Sequence, residues 1–454
     1  MSENNLSRRR GTVSRRSFLE RTLAGAAAAT AASQLPLARG AHAAGKEQIR
    51  IALVGAGGRG TGAAFNALLN RADVKLVAMA DAFRGRLDSS CRHLASQFPE
   101  RVAVPEDRRF VGLDGYQKVL AVDGVDLVIL ASPPAFRPRQ FEAAVKAGKH
   151  VFMEKPVATD APGVRRIRAA NEEAKKKGLA VAVGLHLRHE AKYREVVKRL
   201  HDGEIGEIRF LRTYHCVHST WTRPRRPEQT EMEYQVHNWY NFTWLSGDLL
   251  VERGAHDLDV GNWIKQSHPI RAQGMGGRQV CIDKDHGDIF DHHAVEFEYP
   301  DGARLFSVWR QIPGTWTAFA QNAHGTKGRA EIVGYGDGTL YVDGQPPQHF
   351  ARRQTWHKNN PYPAEGHQAE MDEFLAAILA GQPYNEADYG ATATMTGIAG
   401  RMATYSGQVV EWDQAIQSKL ELVPQQWTWD AIPGPKPGPD GVYASAMPGV
   451  TKAW

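Results

Sequence analysis

Apolar residues run through this chain with two periods, and the switch between them falls near residue 184. Before it, short apolar runs at 49–54, 74–80, 126–132 and 180–183 alternate with amphipathic stretches such as 161–177. Runs of that length, separated by helical crossovers, predict a parallel sheet built from β-α-β units. After Gly184 a helical stretch over 192–201 leads into longer alternating strands. Among them are His292–Tyr299 and Ala303–Trp309, with Asp301-Gly302 as a hairpin turn. Strands without regular crossovers predict an antiparallel or mixed sheet. Helical patterns return at 365–380 and 387–406, and beyond residue 423 the chain is rich in Pro, Gly and Trp. The expectation is an α/β protein in three parts. A dinucleotide-binding domain occupies 44–183, and an α/β domain with a mostly antiparallel sheet occupies 184–422. A tail at 423–454 lies extended on the body or on a neighbouring subunit.

A chain of 454 residues is too long for one hydrophobic core, in keeping with two domains. Its net charge of +6 sits largely in residues 1–43, where seven arginines face only Glu3 and Glu20. The remainder is near neutral, so no nucleic-acid surface is indicated. The leader carries Ser14-Arg15-Arg16-Ser17-Phe18-Leu19, an Ala-rich stretch and Ala41-His42-Ala43, the layout of a twin-arginine signal peptide and its cleavage site. The expected location is therefore periplasmic or otherwise extracytoplasmic, reached after folding. Ser33, Gln34 and Pro36 interrupt the Ala-rich stretch, which falls short of the about 20 apolar residues of a membrane span. Cys91, Cys216 and Cys281 are widely spaced and predict neither a disulfide framework nor a zinc site. The run Asp283, Asp285, His286, Asp288, Asp291, His292 and His293 lacks EF-hand spacing and reads as a solvated loop, so no metal is expected.

Candidate chemistry begins after the first strand. Gly55-Ala56-Gly57-Gly58-Arg59-Gly60 lies between that strand and a helix, and Asp81 ends the second strand about 20 residues on. Gly55 permits a tight turn, Gly57 lets the backbone approach a pyrophosphate, and Gly60 lets helix and strand pack closely. The helix N-terminus supplies the anion site. Asp81 suits the ribose hydroxyls of NAD and repels a 2′-phosphate, while Arg84 and Arg86 leave NADP open. Ser132-Pro133-Pro134 makes a rigid turn expected beside the nicotinamide. In His150-Val151-Phe152-Met153-Glu154-Lys155-Pro156 a strand must end at the proline, which puts Lys155 at its carboxyl end, where open α/β sheets hold their ligands. Candidate cofactor contacts are thus Gly55, Gly57, Gly58, Arg59, Gly60, Asp81, Ser132, Pro133, Glu154 and Lys155.

Farther along, Ser246 to Asp259 reads as one helix in which Glu252 and His256, four apart, share a face. The carboxylate is then expected to bond one imidazole nitrogen and fix the ring. Between the two halves of the site, Trp221, Tyr234, His237, Trp239, Tyr240 and Trp244 crowd one stretch. Trp221, His237 and Trp239 are expected in the wall of a sugar pocket, with His186 as a separate substrate contact.

The glycine turn, Asp81, the Glu154-Lys155-Pro156 run and the Gly-x-x-x-x-acid-x-x-x-His-x-x-Asp pattern from Gly247 to Asp259 together resemble the glucose–fructose oxidoreductase, inositol dehydrogenase and MocA superfamily. The likeness covers nearly all of the mature chain. An exported subgroup is suggested by Trp-Leu-Ser-Gly-Asp at 244–248 and Gly-Met-Gly-Gly-Arg-Gln-Val at 274–280. The resemblance implies a Rossmann domain followed by an α/β domain whose large open sheet serves catalysis and homo-oligomerisation. It places the catalytic lysine on Lys155 and the histidine acid/base on His256. The intervening aspartate falls on Glu252, a departure from the family's pattern that lengthens the carboxylate arm. The implied activity is nicotinamide-dependent hydride transfer at a carbinol carbon of a sugar, polyol or glycoside. Because the leader directs the protein to a compartment not expected to supply nicotinamide, the cofactor is expected to be tightly bound and internally recycled. The alternative is a redox-neutral glycoside hydrolysis that borrows the same cofactor.

Overall fold

The computed structural model describes residues 48–219, 221–334, 336–351 and 365–454. The leader at 1–43 lies outside the described residues. Strands β1 (Gln48–Val54), β2 (Asp73–Asp81), β3 (Arg109–Val111), β4 (Leu127–Leu130), β5 (His150–Met153) and β6 (Val181–Val183) form a parallel sheet in the order β3-β2-β1-β4-β5-β6. Every residue of β4, β5 and β6 is buried, which is why their sequences are short and almost wholly apolar. The strand order reverses between β1 and β4, so the loops after these strands part and leave a crevice at their carboxyl ends. Helix α1 (Gly58–Leu69) opens directly from the glycine turn.

The second sheet is mixed and mostly antiparallel. It contains β7 (Ile208–Val217), β8 (Arg271–Gly277), β9 (His292–Glu298), β10 (Arg304–Gln311), β11 (Ala318–Gly325), β12 (Gly328–Val333), β13 (Gly338–Val342), β14 (Gln348–Phe350) and β15 (Val410–Glu411). Their order is β14-β13-β12-β11-β7-β10-β9-β8-β15, with β7 and β10 the parallel pair. The β9–β10 hairpin turns at Asp301-Gly302, where Gly302 takes a φ of +84°. Alternation sorts the faces: Leu305 and Trp309 are buried, whereas Phe306 is 42% exposed.

The helix expected from Ser246 to Asp259 is broken. Asp248, with a φ of +76°, begins α2 (Leu249–Glu252), and α3 (Gly254–Lys265) starts afresh beyond Arg253. Asp248 is fully buried and holds this corner. Its carboxylate accepts from the backbone N–H of Leu249 and Phe290 (3.1 Å) and from the Tyr405 hydroxyl (2.5 Å), and it lies 3.2 Å from His293 Nε2. Gly254 brings α3 against the Trp309 indole, which a Cβ there would approach to 3.2 Å.

Helix α4 (Glu365–Leu379) returns to the first domain. Its Met371, Phe374, Leu375 and Ile378 share a buried cluster with Ile51, Phe65 and Phe152, covering a face of the parallel sheet that needs an apolar partner. Asn66 of α1 and Gln368 of α4 bond each other through Asn66 Nδ2 to Gln368 Oε1 (2.7 Å) and Gln368 Nε2 to the Asn66 carbonyl (3.1 Å). The long helix α5 (Ala387–Ser406) packs against α3 and the inner face of the second sheet. The expected tail lies along the body. Trp427 meets Phe136 edge-on at 4.8 Å, Trp429 packs on Phe83 at 5.7 Å, and buried Tyr443 joins Glu231 and Arg225. Of the acidic and histidine-rich run, Asp291 accepts three backbone N–H bonds, from Gln279, Val280 and Cys281. Among the described residues no helix is long and apolar enough to cross a membrane.

Candidate active site

Gly55 has a φ of +94°, and a Cβ there would stand 2.4 Å from Ser132 N; one on Gly60 would stand 1.9 Å from the Gly55 carbonyl. Both positions therefore demand glycine, for the turn and for close helix packing. Gly57 and Gly58 differ, since an added Cβ meets nothing within 4 Å. They face a cavity of about 850 Å³ lined by the loop from Gly55 to Gly60, Asp81, Ser132 and Pro133. An open cradle at a helix N-terminus, in the crevice where the strand order reverses, fits the pyrophosphate of a dinucleotide. Asp81 accepts from Ala56 N (2.7 Å) and Phe83 N (2.8 Å), and burial pushes its carboxyl up. Arg84 pairs with Glu106 at 2.7 Å, whereas Arg86 lines the cavity.

Lys155 follows β5 and points across to α2. Its Nζ donates to the Glu252 carbonyl (2.5 Å) and lies 3.1 Å from Glu252 Oε1. Buried Arg137 steadies the turn by donating to the Ser132 and Pro156 carbonyls. Arg59 Nε lies 3.0 Å from Glu154 Oε1, and Gly184 leaves room for that carboxylate, which a Cβ would approach to 2.5 Å.

His256 sits beside Lys155 without the expected carboxylate partner. The Glu252 carboxylate bonds Lys155 and Tyr240 instead, while His256 Nδ1 is buried with no hydrogen-bond partner. The relay fails because the helix breaks at Arg253 and because a full positive charge competes better for the carboxylate than a neutral ring. Burial pushes the Glu252 carboxyl up, but Lys155 and Arg253 prevail and hold it below the usual carboxylate range. Burial, then Lys155, His186 and His215 nearby, hold His256 well below the usual histidine range, so the ring is neutral and readily gives back a proton that it takes up. Asp259, near the expected face, is bound instead to Arg188 at 2.7 and 2.8 Å.

These pairings set what Glu252→Gln should do. The Lys155–Glu252 pair is present at neutral pH and is lost only as pH falls through the depressed carboxyl value. Glu252→Gln is therefore expected to lower kcat while leaving the acid limb of the pH–rate profile in place, and His256→Asn to remove that limb. An acid limb displaced in Glu252→Gln would restore the carboxylate–imidazole contact.

His186 is buried and stands edge-on to His256, with ring centroids 4.7 Å apart. Trp221 and Trp239 line the dinucleotide cavity, and His237 meets Phe83 of its wall edge-on at 5.5 Å. Burial, with Arg223 and Arg86 adjacent, lowers His237 to about 4. This aromatic stretch therefore spans the cofactor cleft, and it reaches the Lys155 cluster through Tyr240, which contacts Trp239 and Glu252. Sequence reasoning missed His367, the third imidazole of the cluster, stacked on His186 at 4.0 Å. Its only local signal is the preceding Gly366, where a Cβ would stand 2.2 Å from the His186 carbonyl.

Comparison with known proteins agrees with this architecture. The chain is 23% identical over 377 residues to scyllo-inositol 2-dehydrogenase (NAD(+)) of Bacillus subtilis, covering 81% of this chain and 97% of that protein. It is 25% identical to an inositol 2-dehydrogenase of Rhizobium meliloti over 73% of this chain and 89% of that one. The fold is shared with a levoglucosan dehydrogenase in complex with NADH and levoglucosan (TM-score 0.64, 16% identity, 81% of this chain and 100% of that chain). It is shared too with an aldose-aldose oxidoreductase from Caulobacter crescentus (TM-score 0.61, 21% identity, 80% and 99%). Residues 49–185 match the oxidoreductase family with an NAD-binding Rossmann fold, and residues 193–334 match the GFO/IDH/MocA C-terminal domain. With both halves matched in order around one dinucleotide cleft, the chain belongs to the GFO/IDH/MocA family of NAD(P)-dependent oxidoreductases.

Proposed function

We propose that this protein oxidises a carbinol carbon of a sugar or polyol, with Lys155 and His256 as the residues that handle the alcohol. The observation that carries the reading is His256, its Nδ1 without a hydrogen-bond partner, near Lys155 at the carboxyl end of the parallel sheet that forms the dinucleotide cleft. A bound nicotinamide supplies the hydride acceptor. Lys155 donates to the alcohol oxygen and stabilises negative charge as it develops there. His256 takes the hydroxyl proton, leaving a carbonyl product; in the reverse direction it returns that proton. Glu252 orients Lys155, and Arg137 holds the turn that presents it. The similarity to inositol 2-dehydrogenases supports a polyol or sugar substrate.

Three finer parts of the reading rest on the walls of the cleft, on the leader and on the second sheet. Phe83, at the cavity wall, is covered by Trp429 of the tail, which supports a nucleotide that stays bound through purification. The twin-arginine motif supports loading before export, and Arg15→Lys with Arg16→Lys should then retain active protein in the cytoplasm. The outward face of the second sheet carries Phe306 and Met275, exposed by 42% and 76%, and serves homo-oligomerisation. Met275→Glu should shift the sedimenting species toward the monomer.

The test of function is to purify the protein without added nucleotide, record bound cofactor by absorbance, and supply sugars, inositols and glycosides. Reduction of bound nicotinamide with formation of a carbonyl product supports the proposal. Release of an aglycone with no net redox change would reassign the site to redox-neutral hydrolysis, and no reaction with any of them would refute both.

A further inference from the structure

Helix α4 places a side chain into the candidate active site from 111 positions beyond His256, and its placement is fixed on two sides. The Asn66–Gln368 pair ties its first turn to α1, the helix of the glycine loop. Gly366 lets the same turn abut the carbonyl of His186, and Glu365 Oε1 accepts from Ala191 N at 3.4 Å. His367 is thereby stacked on His186, their planes 29° apart, while His186 stands edge-on to His256. His256 and His367 are half-buried, each keeping part of its surface open.

The charges around these rings cancel locally. Lys155 has Glu252 at 3.1 Å, Arg59 has Glu154 at 3.0 Å, and Arg188 has Asp259 at 2.7 Å. Lys192 lies 3.6 Å from Glu190, whose other carboxylate oxygen is 3.4 Å from His186 Nδ1. An incoming carboxylate or phosphate would have to displace one of these acids to gain a cation. Burial, with positive groups nearby, holds His256 and His367 well below the usual histidine range, and burial lowers His186 against the opposing pull of Glu190. A neutral imidazole offers one donor and one acceptor, as an alcohol hydroxyl does, so the two are complementary in either orientation. A substrate anion would meet acceptors as often as donors.

Resting on the reading of this site as one for carbinol oxidation, we infer that His367, held in place by its stack on His186, binds a hydroxyl flanking the reacting carbon, and that the site selects an uncharged vicinal polyol over a uronate or a sugar phosphate. His367 is thus a substrate-contact residue supplied by the helix that also braces α1.

Calorimetric titration of the full-length, nucleotide-loaded protein with myo-inositol, glucose, glucuronate and a hexose phosphate tests this. A neutral compound is expected to bind at least about tenfold more tightly than either anion, the scale of one lost or opposed hydrogen bond. His367→Phe should weaken that binding by about tenfold or more, and His367→Gln, which keeps a donor and an acceptor, should recover most of it. Bound nucleotide, unchanged in each variant, reports intact folding; His367→Ala replaces the Phe variant if the latter loses its nucleotide. Preference for either anion, or neutral-polyol affinity within about twofold of wild type in both His367→Phe and His367→Ala, would overturn the inference. Hydride transfer is recorded alongside. Selective, His367-dependent binding without transfer would sink the oxidoreductase reading and leave the binding assignment standing; transfer that ignores His367 would do the reverse.

Discussion

Lys155→Ala is expected to lower kcat by about 10²- to 10⁴-fold, the range of a positioned acid–base group, with nucleotide still bound. The two effects separate because the two sites do. The cavity that fits the dinucleotide is bounded by the glycine loop, Asp81 and the Ser132-Pro133 turn, whereas Lys155 faces Glu252 of the other domain. Removing the ammonium also leaves the Glu252 carboxylate, 15% exposed, without that partner, so Lys155→Ala with Glu252→Gln should fold better than the single variant while remaining as inactive. Single-turnover reduction of the bound nicotinamide is the measurement. A variant that keeps more than about a tenth of wild-type kcat, a barrier change under about 1.4 kcal/mol, would remove Lys155 from the chemistry.

Asp248→Ala should have the largest effect on stability, about 3–5 kcal/mol, as expected when one member of a buried charged network is removed. Two backbone N–H groups, the Tyr405 hydroxyl and the His293 ring all converge on this fully buried carboxylate. Asp248→Asn preserves the shape but loses charge-assisted bonds, and should cost less. Because α2 begins at Asp248 and ends at Glu252, the damage should extend to activity through a loosened Lys155–Glu252 pair. Urea unfolding gives the first quantity and kcat the second. An unfolding midpoint unchanged in Asp248→Ala would show that the corner is held by packing alone.

What could be read in the sequence was whatever depends on neighbours in the chain. The strand–glycine–helix unit, the strand end at Pro156 and the β9–β10 hairpin each follow from a few adjacent residues, and they locate the cleft and Lys155. The pairing of Glu252 with His256 failed because i,i+4 geometry presupposes an unbroken helix, and the outcome was decided by a lysine 97 positions earlier in the chain. The aromatic stretch was visible as a density of rings, but only tertiary packing assigns Trp221 and Trp239 to the dinucleotide cavity. His367 follows the pattern to its limit. A histidine near the start of an amphipathic helix is unremarkable until that helix crosses back to cover the first domain.

The tail along the body has a consequence for how the protein is made. Trp427 and Trp429 close over Phe136 and Phe83, residues synthesised some three hundred positions earlier, and both of these also line the cofactor cavity. Domains emerge from the ribosome amino end first, so the dinucleotide domain can collapse around its parallel sheet long before these tryptophans exist. Until translation terminates, the apolar flank of the cleft has no cover. Completion of the wall is thus postponed to the last few dozen residues, and a chain that stops short of them ends with its own cofactor cleft uncapped.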